Sequence, residues 1–390
     1  MNLVDAVRKW ANLAPNKTVV VDSTTDQRIT FADLLDRVIR LSNGFASLGL
    51  VKGDRVAILS TNSIEYFEIY YACAMSGLIA QPINWRLSAE EITRIIEDGE
   101  PSVFICQKEF LELQHEVRAT VTSNITYLEY GPETDESYET LVTQASAIDL
   151  YQDIGNADPV LILYTGGTTG LSKGALHTHH SLYMGMLNQT VAERVVPSDV
   201  YMLTGQMFHI PVALAMNYIA HGCPCVLMNF DAKLALELIQ NEKVSAFLGI
   251  TTMLNWMMAV EGFETYDISS LRNIQYGGGP MPETVVKAAL EAFPCTIIQG
   301  YGQTEGMTMT FLSQEDHQHA INGERAERLN ACGREGFVTR IRVVDTDGVD
   351  VPKDSSSYGE IVVSSEANMV GYGRKPELTA AIMKDGWMWT

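Results

Sequence analysis

Cysteine is scarce in this sequence, and the few cysteines are scattered. The 390 residues contain six, at Cys73, Cys106, Cys223, Cys225, Cys295 and Cys332. A disulfide scaffold needs many cysteines in a short chain, and a structural zinc site needs a second pair of ligands beside Cys223-Pro224-Cys225. We therefore predict neither disulfides nor zinc, and we expect a reducing, cytoplasmic compartment.

Long apolar runs are also missing. A membrane-spanning helix needs about 20 consecutive apolar residues. The best candidate, from Ile210 to Ala220, is short and contains Asn217. The first residues, from Met1 to Asp5, contain no basic segment. We therefore predict no membrane span and no signal peptide.

Positive charge is the third shortage. Lysine and arginine number 27 against 48 aspartates and glutamates, which gives a formal net charge of −21. Such a surface repels nucleic acid and anionic lipid head groups, so neither is expected as a partner. A phosphorylated ligand would have to bind in a local cradle, because the overall field opposes it.

Hydrophobic residues are plentiful, at 46% against 19% charged residues, which is enough for a large core. Strand-like and helix-like patterns alternate along the chain. Helix starts are indicated at Thr30 and Ser88, each followed three positions later by an acidic residue that completes a capping box. Such alternation favours a parallel sheet with helices on its faces, so we predict an α/β fold.

The same patterns predict three parts. Two sheet-and-helix subdomains are expected over residues 1–155 and 156–320, and a small β-barrel-like subdomain over residues 321–390. Residues 113–155 are polar and weakly periodic, which predicts a surface connection. Short β runs separated by turn residues after Cys332 are the basis for the third part.

One glycine-rich loop carries the strongest chemical motif. It reads Tyr-Thr-Gly-Gly-Thr-Thr-Gly-Leu-Ser-Lys-Gly from Tyr164 to Gly174 and follows an apolar run. Glycines present backbone amides to an anion, while threonine hydroxyls and Lys173 add further donors. The lysine spacing is not that of a Walker A loop. We predict a polyphosphate cradle; the competing interpretation is a surface turn.

Two further segments follow apolar strands. The first, Gly300-Tyr301-Gly302-Gln303-Thr304-Glu305, leaves the Tyr301 ring free to stack on a planar ligand between two glycines. Its Thr304 can donate to a phosphate oxygen, and Glu305 can bind Mg²⁺. The second, Gly277-Gly278-Gly279-Pro280, is bare backbone that a flat ring could approach closely.

Taken together, these motifs resemble one family. The glycine-rich loop, the Gly-Tyr-Gly-Gln-Thr-Glu segment and Gly-Tyr-Gly-Arg-Lys-Pro-Glu-Leu-Thr at 371–379 are similar to those of the adenylate-forming superfamily, in the same order. Within it, the chain resembles acyl-CoA synthetases of the fatty-acid or aryl-acid type along essentially all of its length. The resemblance implies that a carboxylic acid reacts with Mg·ATP to give an acyl-adenylate, which CoA then converts to a thioester.

The resemblance also implies roles for particular residues. The phosphates of ATP would be bound by Thr165, Gly166, Gly167, Thr168, Thr169 and Lys173. Adenine would lie between Tyr301, flanked by Gly300 and Gly302, and the segment Gly278, Gly279 and Pro280. Thr304 would contact the α-phosphate, Glu305 would hold Mg²⁺, and His209 would lie beside the substrate carboxylate.

This sequence departs from the family pattern in three places. Gly166 stands where serine is usual, and Ser172 stands where proline is usual, so the loop loses one hydroxyl and some rigidity. The family continues beyond the position of Thr390 into a Gly-Asp pair, a hinge and a small domain with a catalytic lysine. We therefore expect this chain to be the large N-terminal part of a longer protein, inactive or weakly active alone.

The histidines divide between two interpretations. The cluster from His177 to His180 has no acidic or cysteine partner in the sequence, so ordinary packing is expected in place of a metal site. For His209, the family position favours a substrate-site role over a core histidine. The segment between Met202 and Asn229 contains no carboxylate, so an amino-acid substrate is not expected.

The leading prediction is an AMP-forming acid–CoA ligase acting on an apolar carboxylic acid, of medium or long chain or with an aryl group. Acids with a medium or long acyl chain are favoured over acetate, because the side chains of the expected pocket wall are apolar or absent. The expected wall residues are Ile210, Val212, Ile250, Met253 and the glycines at 277–279. The alternatives are an enzyme that loads a carrier protein and a nucleotide-binding module without turnover. The expected partners are the acid, ATP and CoA, and a homodimer is allowed.

Overall fold

A computed structural model describes residues 2–132, 135, 137–150, 152–165, 172–354 and 356–390. Thirteen α-helices occur in these described ranges. They are α1 Val4–Leu13, α2 Phe31–Ser47, α3 Ile64–Ser76, α4 Ala89–Gly99, α5 Leu111–Thr120, α6 Ser137–Gln144, α7 His179–Glu193, α8 Pro211–Ala220, α9 Ala232–Glu242, α10 Thr251–Met258, α11 Glu283–Ala292, α12 Gln314–Ile321 and α13 Pro376–Ile382.

Twenty strands occur in the same described part of the chain. The first half contains β1 Thr18–Asp22, β2 Gln27–Thr30, β3 Arg55–Leu59, β4 Ile79–Ile83, β5 Val103–Gln107, β6 Thr126–Tyr130, β7 Pro159–Thr165 and β8 Lys173–Thr178. The second half contains β9 Tyr201–Leu203, β10 Cys225–Leu227, β11 Ala246–Leu248, β12 Asn273–Gly277, β13 Thr296–Gln303, β14 Met307–Leu312, β15 Arg334–Glu335, β16 Thr339–Val344, β17 Glu360–Ser365, β18 Gly371–Tyr372, β19 Met383–Lys384 and β20 Trp387–Trp389.

Helix starts and ends follow the capping signals in the sequence. The side chains of Thr30 and Ser88 accept hydrogen bonds from the backbone N–H groups of Asp33 and Glu91, and both capping boxes are complete. Helix α3 ends at Gly77, whose φ of 67° is the left-handed conformation that glycine adopts most readily. The capping boxes predicted from the sequence are confirmed.

The strands form two large mixed sheets and one small sheet. The seven-stranded sheet has the order β18-β8-β7-β4-β3-β5-β6, and the nine-stranded sheet has the order β15-β14-β13-β12-β11-β9-β10-β1-β2. The central pairs in both are parallel, whereas β7–β8 and β13–β14 are antiparallel. The predicted α/β class is confirmed.

The small sheet is antiparallel and open. Its order is β16-β17-β20-β19, so it has two edge strands and does not close into a barrel. It packs on the nine-stranded sheet through a cluster of Met309, Val363 and Met388, against which Tyr301 also packs. The last part of the chain is therefore a β unit that covers one end of the larger sheet.

Strand pairing interleaves distant parts of the chain. Strands β1 and β2, near the N-terminus, belong to the nine-stranded sheet, while β18, near residue 371, joins the seven-stranded one. The boundaries at residues 155 and 320 stay predictions. The expectation of a surface connection over residues 113–155 is wrong, because most of α5, all of β6 and all of α6 lie there.

The two large sheets share one apolar core. Its largest cluster contains Val20 of β1 and Ile58 of β3, together with Phe67 of α3 and Tyr218 of α8. Each of these side chains is fully buried. Within the described ranges, no helix combines the length and the apolar character that crossing a membrane requires.

Candidate active site

A cavity of about 1010 Å³ opens where loops of the two large sheets meet. Most of its lining residues lie at or just beyond the carboxyl ends of parallel strands, the usual place for a ligand in an open α/β sheet. From the seven-stranded side come Thr61, Trp85 and Arg86. From the nine-stranded side come Thr204, Gly205, Gln206, His209, Asn229, Phe230, Leu248, Ile250, Gln275, Gly277, Gly278, Gly300, Gly302, Gln303 and Thr304.

The loop that carries His209 is held by residues of the opposite sheet's helical layer. The Asn62 side chain donates to the carbonyl oxygen of Gly205 at 2.8 Å and accepts from the Met207 N–H at 2.8 Å. The Tyr70 hydroxyl donates to the Met207 carbonyl oxygen at 2.7 Å. Because these donors and acceptors are buried, each bond also avoids an unsatisfied polar group. The position of His209 is thus set across the interface between the sheets.

His209 lies in a mostly apolar corner of this cavity. Its ring centroid is 5.0 Å from that of Phe208. Burial, and secondarily the charge of Arg86, lower the pKa of the His209 imidazole below its ordinary value. The ordinary value is already below 7, so the ring is neutral at neutral pH. A neutral imidazole can donate one hydrogen bond to a carboxylate without forming a fixed ion pair.

The wall of the large cavity combines apolar, aromatic and cationic side chains. The guanidinium of Arg86 lies 4.4 Å from the centroid of the Trp85 ring. Its described lining contains no aspartate or glutamate, so a substrate carboxylate meets no like charge and a substrate ammonium meets no counter-ion. Of the predicted wall residues, Ile210, Ile250 and Met253 do line the cavity. The prediction for Val212 is wrong, since it is fully buried in the shared core.

A second pocket, of about 450 Å³, adjoins the first and contains the charged groups. Lys173, Glu305 and Tyr372 line it, and Gln303 borders both pockets. Thr304, one residue from each of Gln303 and Glu305, lines the large cavity. The two pockets therefore meet along the Gly-Gln-Thr-Glu segment.

Lys173 and Thr165 mark the two ends of the glycine-rich loop. They are paired residues of the antiparallel strands β7 and β8, and the Thr165 hydroxyl donates to the Lys173 carbonyl oxygen at 3.5 Å. Gly166, Gly167, Thr168 and Thr169 lie outside the described residues. The loop thus connects two antiparallel strands, whereas a Walker A loop connects a strand to a helix.

Glu305 and Glu360 are the described carboxylates that line this pocket. The described residues contain no group of three or more histidine, cysteine, aspartate or glutamate side chains that could hold a metal by themselves. Mg²⁺ in nucleotide sites takes one or two carboxylates and completes its shell with phosphate oxygens and water. The pocket offers two carboxylates, Glu305 and Glu360, beside Lys173 and Lys384, and this donor set fits the cation of a metal–nucleotide complex.

The glycines of the predicted adenine site have different structural reasons. A side chain on Gly277 would place its Cβ 2.3 Å from the carbonyl oxygen of Gly300, so strand packing alone requires glycine there. Gly278 has a φ of +75°, while the position of Gly279 is open. Gly279 and Pro280 are not among the residues that line the large cavity. Their contact with adenine, like the stacking role of Tyr301, stays a prediction.

The histidine cluster after the loop has structural partners. The ring of His177 is fully buried, with Nε2 at 2.8 Å from the Thr304 carbonyl oxygen and Nδ1 at 3.2 Å from the Ser181 hydroxyl. Burial lowers the pKa of His177 to about 4. His180 pairs with Glu366 at 2.7 Å. His177 therefore buttresses the backbone of Thr304 as a neutral side chain.

Sequence reasoning missed several residues of the site. Arg86, Trp85 and Tyr372 line the two pockets, yet none belongs to a segment chosen for its chemistry before the family resemblance. One indication was available: Trp85 and Arg86 follow the apolar strand β4, where a parallel sheet places its ligands. The position of Tyr372 depends on strand pairing between β18 and β8, which the sequence pattern does not reveal.

Comparison with known proteins agrees with this architecture. A solved N-terminal domain of FACL13 from Mycobacterium tuberculosis, with inhibitor bound, superposes with a TM-score of 0.91 at 29% identity, covering 100% of this chain and 95% of that one. A feruloyl-CoA synthase of Amycolatopsis sp is 30% identical over 97% of this chain and 72% of its own length. The long-chain-fatty-acid–CoA ligase FadD13 of M. tuberculosis is 30% identical over 98% and 74%.

The fold is that of the N-terminal domain of adenylate-forming enzymes. A model of the family described as AMP-binding enzyme matches residues 7–373, which is nearly the whole chain. The chain belongs to the AMP-binding enzyme family.

Proposed function

We propose that this protein is an AMP-forming acid–CoA ligase whose substrate is an apolar carboxylic acid. The observation that carries the proposal is the pair of adjoining pockets. One is a large cavity with apolar walls, a neutral His209 and no described carboxylate; the other contains Lys173 and Glu305. An activated acid needs both, because its tail is apolar and its leaving group is a polyphosphate.

The first chemical step joins the acid to the nucleotide. A carboxylate oxygen attacks the α-phosphorus of ATP, a new P–O bond forms, and pyrophosphate leaves with the bonding electron pair. The carboxylate is already ionised at neutral pH, so the step needs positioning and charge neutralisation more than a strong base. His209 would orient the carboxylate, while Lys173 and Thr304 would contact phosphate oxygens.

Mg²⁺, when bound, would neutralise phosphate charge, and Glu305 is the residue that would hold it. In the second step the thiol of CoA attacks the acyl carbon, a thioester forms, and AMP leaves. AMP is a good leaving group because its negative charge is spread over the phosphate oxygens. The thiol's proton passes to solvent or to AMP.

The proposed substrate class follows from volume and charge. Ligand pockets commonly measure about 300–1,000 Å³, and a cavity of about 1010 Å³ has room for much more than a two-carbon acid. Met253, Ile250 and Phe230 supply an apolar wall. The related feruloyl-CoA synthase and long-chain-fatty-acid–CoA ligase are named for an aryl and an alkyl acid, so both kinds belong in the substrate panel.

ATP–pyrophosphate exchange with the full protein tests this proposal. The panel contains octanoate, palmitate, ferulate, acetate and phenylalanine. We expect the largest exchange rates with octanoate, palmitate or ferulate. Acetate preferred over octanoate, or phenylalanine as the best substrate, would contradict the proposed substrate class.

A second assay separates the acceptors. Adding CoA to the best acid should release AMP and form the acyl-CoA thioester, detected by mass spectrometry. Exchange without thioester formation, relieved by an acyl carrier protein, would support the carrier-loading alternative. Nucleotide binding with no exchange for any acid would support a non-catalytic module.

His209 can be tested within the same assays. His209→Ala should raise the KM for the acid about 10-fold or more while changing the KM for ATP little, since a positioned hydrogen bond to a charged group is lost. His115→Ala, on the exposed helix α5, is the matched control. Equal changes in both KM values would remove His209 from the acid site.

A further inference from the structure

Tyr372 contacts two oppositely charged side chains of the smaller pocket, Lys173 and Glu305, while Glu360 and Lys384 line the same pocket. Its hydroxyl donates to Oε1 of Glu305 at 2.7 Å, and Nζ of Lys173 lies 5.3 Å from its ring centroid. All three side chains line the same pocket of about 450 Å³. Within the described structure, the lysine and the glutamate each contact a different part of the tyrosine.

The backbone around Tyr372 is fixed from several directions. Its residue pair in the antiparallel β18–β8 ladder is Ala175. Its N–H donates to the Thr379 hydroxyl at 2.9 Å, and the next N–H, of Gly373, donates to the Gly174 carbonyl oxygen at 2.8 Å. The side chain is 7% exposed. The ring therefore has little freedom to leave its contacts with Lys173 and Glu305.

Ion pairs beyond the strand hold the same segment to the C-terminal end of helix α4. Arg374 pairs with Glu100 at 2.6 Å, and Lys375 pairs with Asp98, which also accepts from the Tyr164 hydroxyl at 2.9 Å. Asp98 belongs to helix α4, and Glu100 follows its last residue. Two charged contacts to one helix end thus anchor the segment that follows Tyr372.

Oppositely charged side chains in one small pocket can also pair directly with each other. Lys173 and Glu305 could form a direct ion pair, which would neutralise both groups before any ligand arrived. A tyrosine can prevent this pairing without neutralising either group, because the tyrosine is uncharged. Its hydroxyl donates one hydrogen bond to the carboxylate, and its ring face attracts the ammonium. A tyrosine hydroxyl ionises only at about pH 10, so it keeps its proton at neutral pH.

We propose that Tyr372 is a positioning residue that keeps Lys173 and Glu305 apart. The ammonium then stays available to phosphate oxygens, and the second carboxylate oxygen of Glu305 stays available to the cation of a metal–nucleotide complex. This inference rests on the proposed function, because it takes Mg·ATP as the ligand of the smaller pocket. It adds a residue whose only task is to maintain the separation of two charges.

The first test removes only the hydroxyl. Tyr372→Phe keeps the ring beside Lys173 and frees Glu305, so ATP affinity measured in EDTA by calorimetry should stay within about 2-fold of wild type. The Mg²⁺ concentration that half-saturates ATP binding should rise about 10-fold or more, the change expected for one lost hydrogen bond to a charged group. An unchanged Mg²⁺ dependence would overturn the proposal.

The second test removes the separation itself. In Tyr372→Leu, Lys173 and Glu305 can pair, so ATP affinity in EDTA should fall about 10-fold. Adding Glu305→Gln removes the partner of the lysine, and the double variant should recover ATP affinity in EDTA to within about 2-fold of wild type. A tyrosine that merely supports the fold would not be rescued by this second change, so a folded double variant without recovery would contradict the proposal.

A chemically matched pair elsewhere in the chain supplies the control. The Tyr218 hydroxyl donates to Oε2 of the buried Glu193 at 2.7 Å, and neither residue is among those that line the two pockets. Tyr218→Phe loses the same kind of bond and should leave the Mg²⁺ dependence and ATP affinity unchanged. If Tyr372→Leu does not fold, as judged by circular dichroism and thermal melting, the result for Tyr372→Phe decides alone.

The outcomes distinguish this inference from the proposed function. Wild-type protein that binds Mg·ATP and responds to Tyr372→Phe, yet shows no pyrophosphate exchange with any acid, would refute the ligase and leave the separating role intact. Protein that exchanges pyrophosphate with an apolar acid but is indifferent to both Tyr372 variants would do the reverse.

Discussion

The two adjoining pockets differ in what they lack. The large cavity has mostly apolar walls, a neutral histidine, Arg86 and no described carboxylate, whereas the smaller pocket contains two lysines and two glutamates, and Tyr372 contacts Lys173 and Glu305. In a mostly apolar cavity a carboxylate without a partner is costly and would repel the carboxylate of an acid, so acidic side chains are excluded from the described wall. In a phosphate pocket charged side chains are needed to bind the phosphates and their cation. An ion pair between a lysine and a glutamate of the pocket would make both less available to the ligand. The two pockets, which meet at Gln303, therefore differ in whether carboxylates line them: the smaller pocket has them and the described wall of the large cavity has none.

The pockets also differ in how they are assembled. Residues from both large sheets surround the large cavity, so side chains as far apart in sequence as Thr61 and Thr308 form its wall. The smaller pocket combines short segments that each carry a recognisable motif, ending at Lys173, Glu305 and Tyr372. Motif residues thus concentrate where phosphate chemistry is expected, while the acid cavity uses ordinary apolar residues.

Removing the charge of Glu305 from the smaller pocket should have the largest effect on activity. Glu305→Gln keeps an oxygen for the Tyr372 hydroxyl but loses the charge that would hold Mg²⁺, so pyrophosphate exchange should fall about 100-fold or more. Glu366→Gln, outside both pockets and paired with His180, is the control. Exchange close to wild type at limiting Mg²⁺ would remove Glu305 from the phosphate side of the comparison.

Removing the positive charge should have the next largest effect. Lys173→Ala loses hydrogen bonds to phosphate that contribute about 1.5–3 kcal/mol each, so the KM for ATP should rise about 10- to 100-fold. The melting temperature should change little, because Lys173 is not fully buried and its backbone pairing in β8 is retained. An unchanged apparent affinity for ATP would contradict this assignment.

Placing a charge in the apolar pocket breaks the comparison from the other side. Met253→Asp introduces a carboxylate into the cavity wall, where it would repel the substrate carboxylate and lose hydration. We expect the KM for octanoate to rise about 10-fold and the KM for ATP to stay near wild type. Asn255→Asp, on the exposed face of the same helix α10, makes an equal charge change outside the cavity. Equal effects of the two variants would show that the cavity does not bind the acid.

A smaller effect is expected where the two pockets meet. The pKa of His177 is about 4 in the folded protein and about 6.5 when unfolded. At pH 5 the unfolded chain therefore binds a proton that the folded protein does not, and stability is lost as pH falls from about 6.5 towards 4. Between pH 7 and pH 5 this loss amounts to about 1–2 kcal/mol in the free energy of unfolding.

Urea unfolding of His177→Gln measures this contribution. Glutamine does not titrate and keeps an amide that can donate to the Thr304 carbonyl oxygen. The variant should therefore lose about 1–2 kcal/mol less stability than wild type between the two pH values. Other buried histidines, such as His179, are common to both proteins and cancel in the difference. Parallel pH dependences would exclude His177 as the titrating group.

Much of the fold could be predicted from the sequence. Capping boxes at Thr30 and Ser88, the strand over residues 160–164 and the alternation of strands and helices all depend on local patterns, and the structure has them. The stretch over residues 113–155 could not be predicted, because its helices α5 and α6 have little apolar periodicity and are stabilised by packing on neighbouring elements. Weak periodicity indicated a loop where tertiary contacts support helices.

The sequence by itself determined which chemistry is present: a glycine-rich loop with Lys173, the Gly-Tyr-Gly-Gln-Thr-Glu segment with Glu305, and an apolar stretch with His209 free of carboxylates. Only the tertiary structure decided that Asn62 holds the His209 loop and that Tyr372 separates Lys173 from Glu305. The physical reason is range. Glycine conformation, hydroxyl donors and capping depend on neighbours along the chain, whereas the distance between two charges depends on which strands pair, and β18 reaches β8 from nearly 200 residues away.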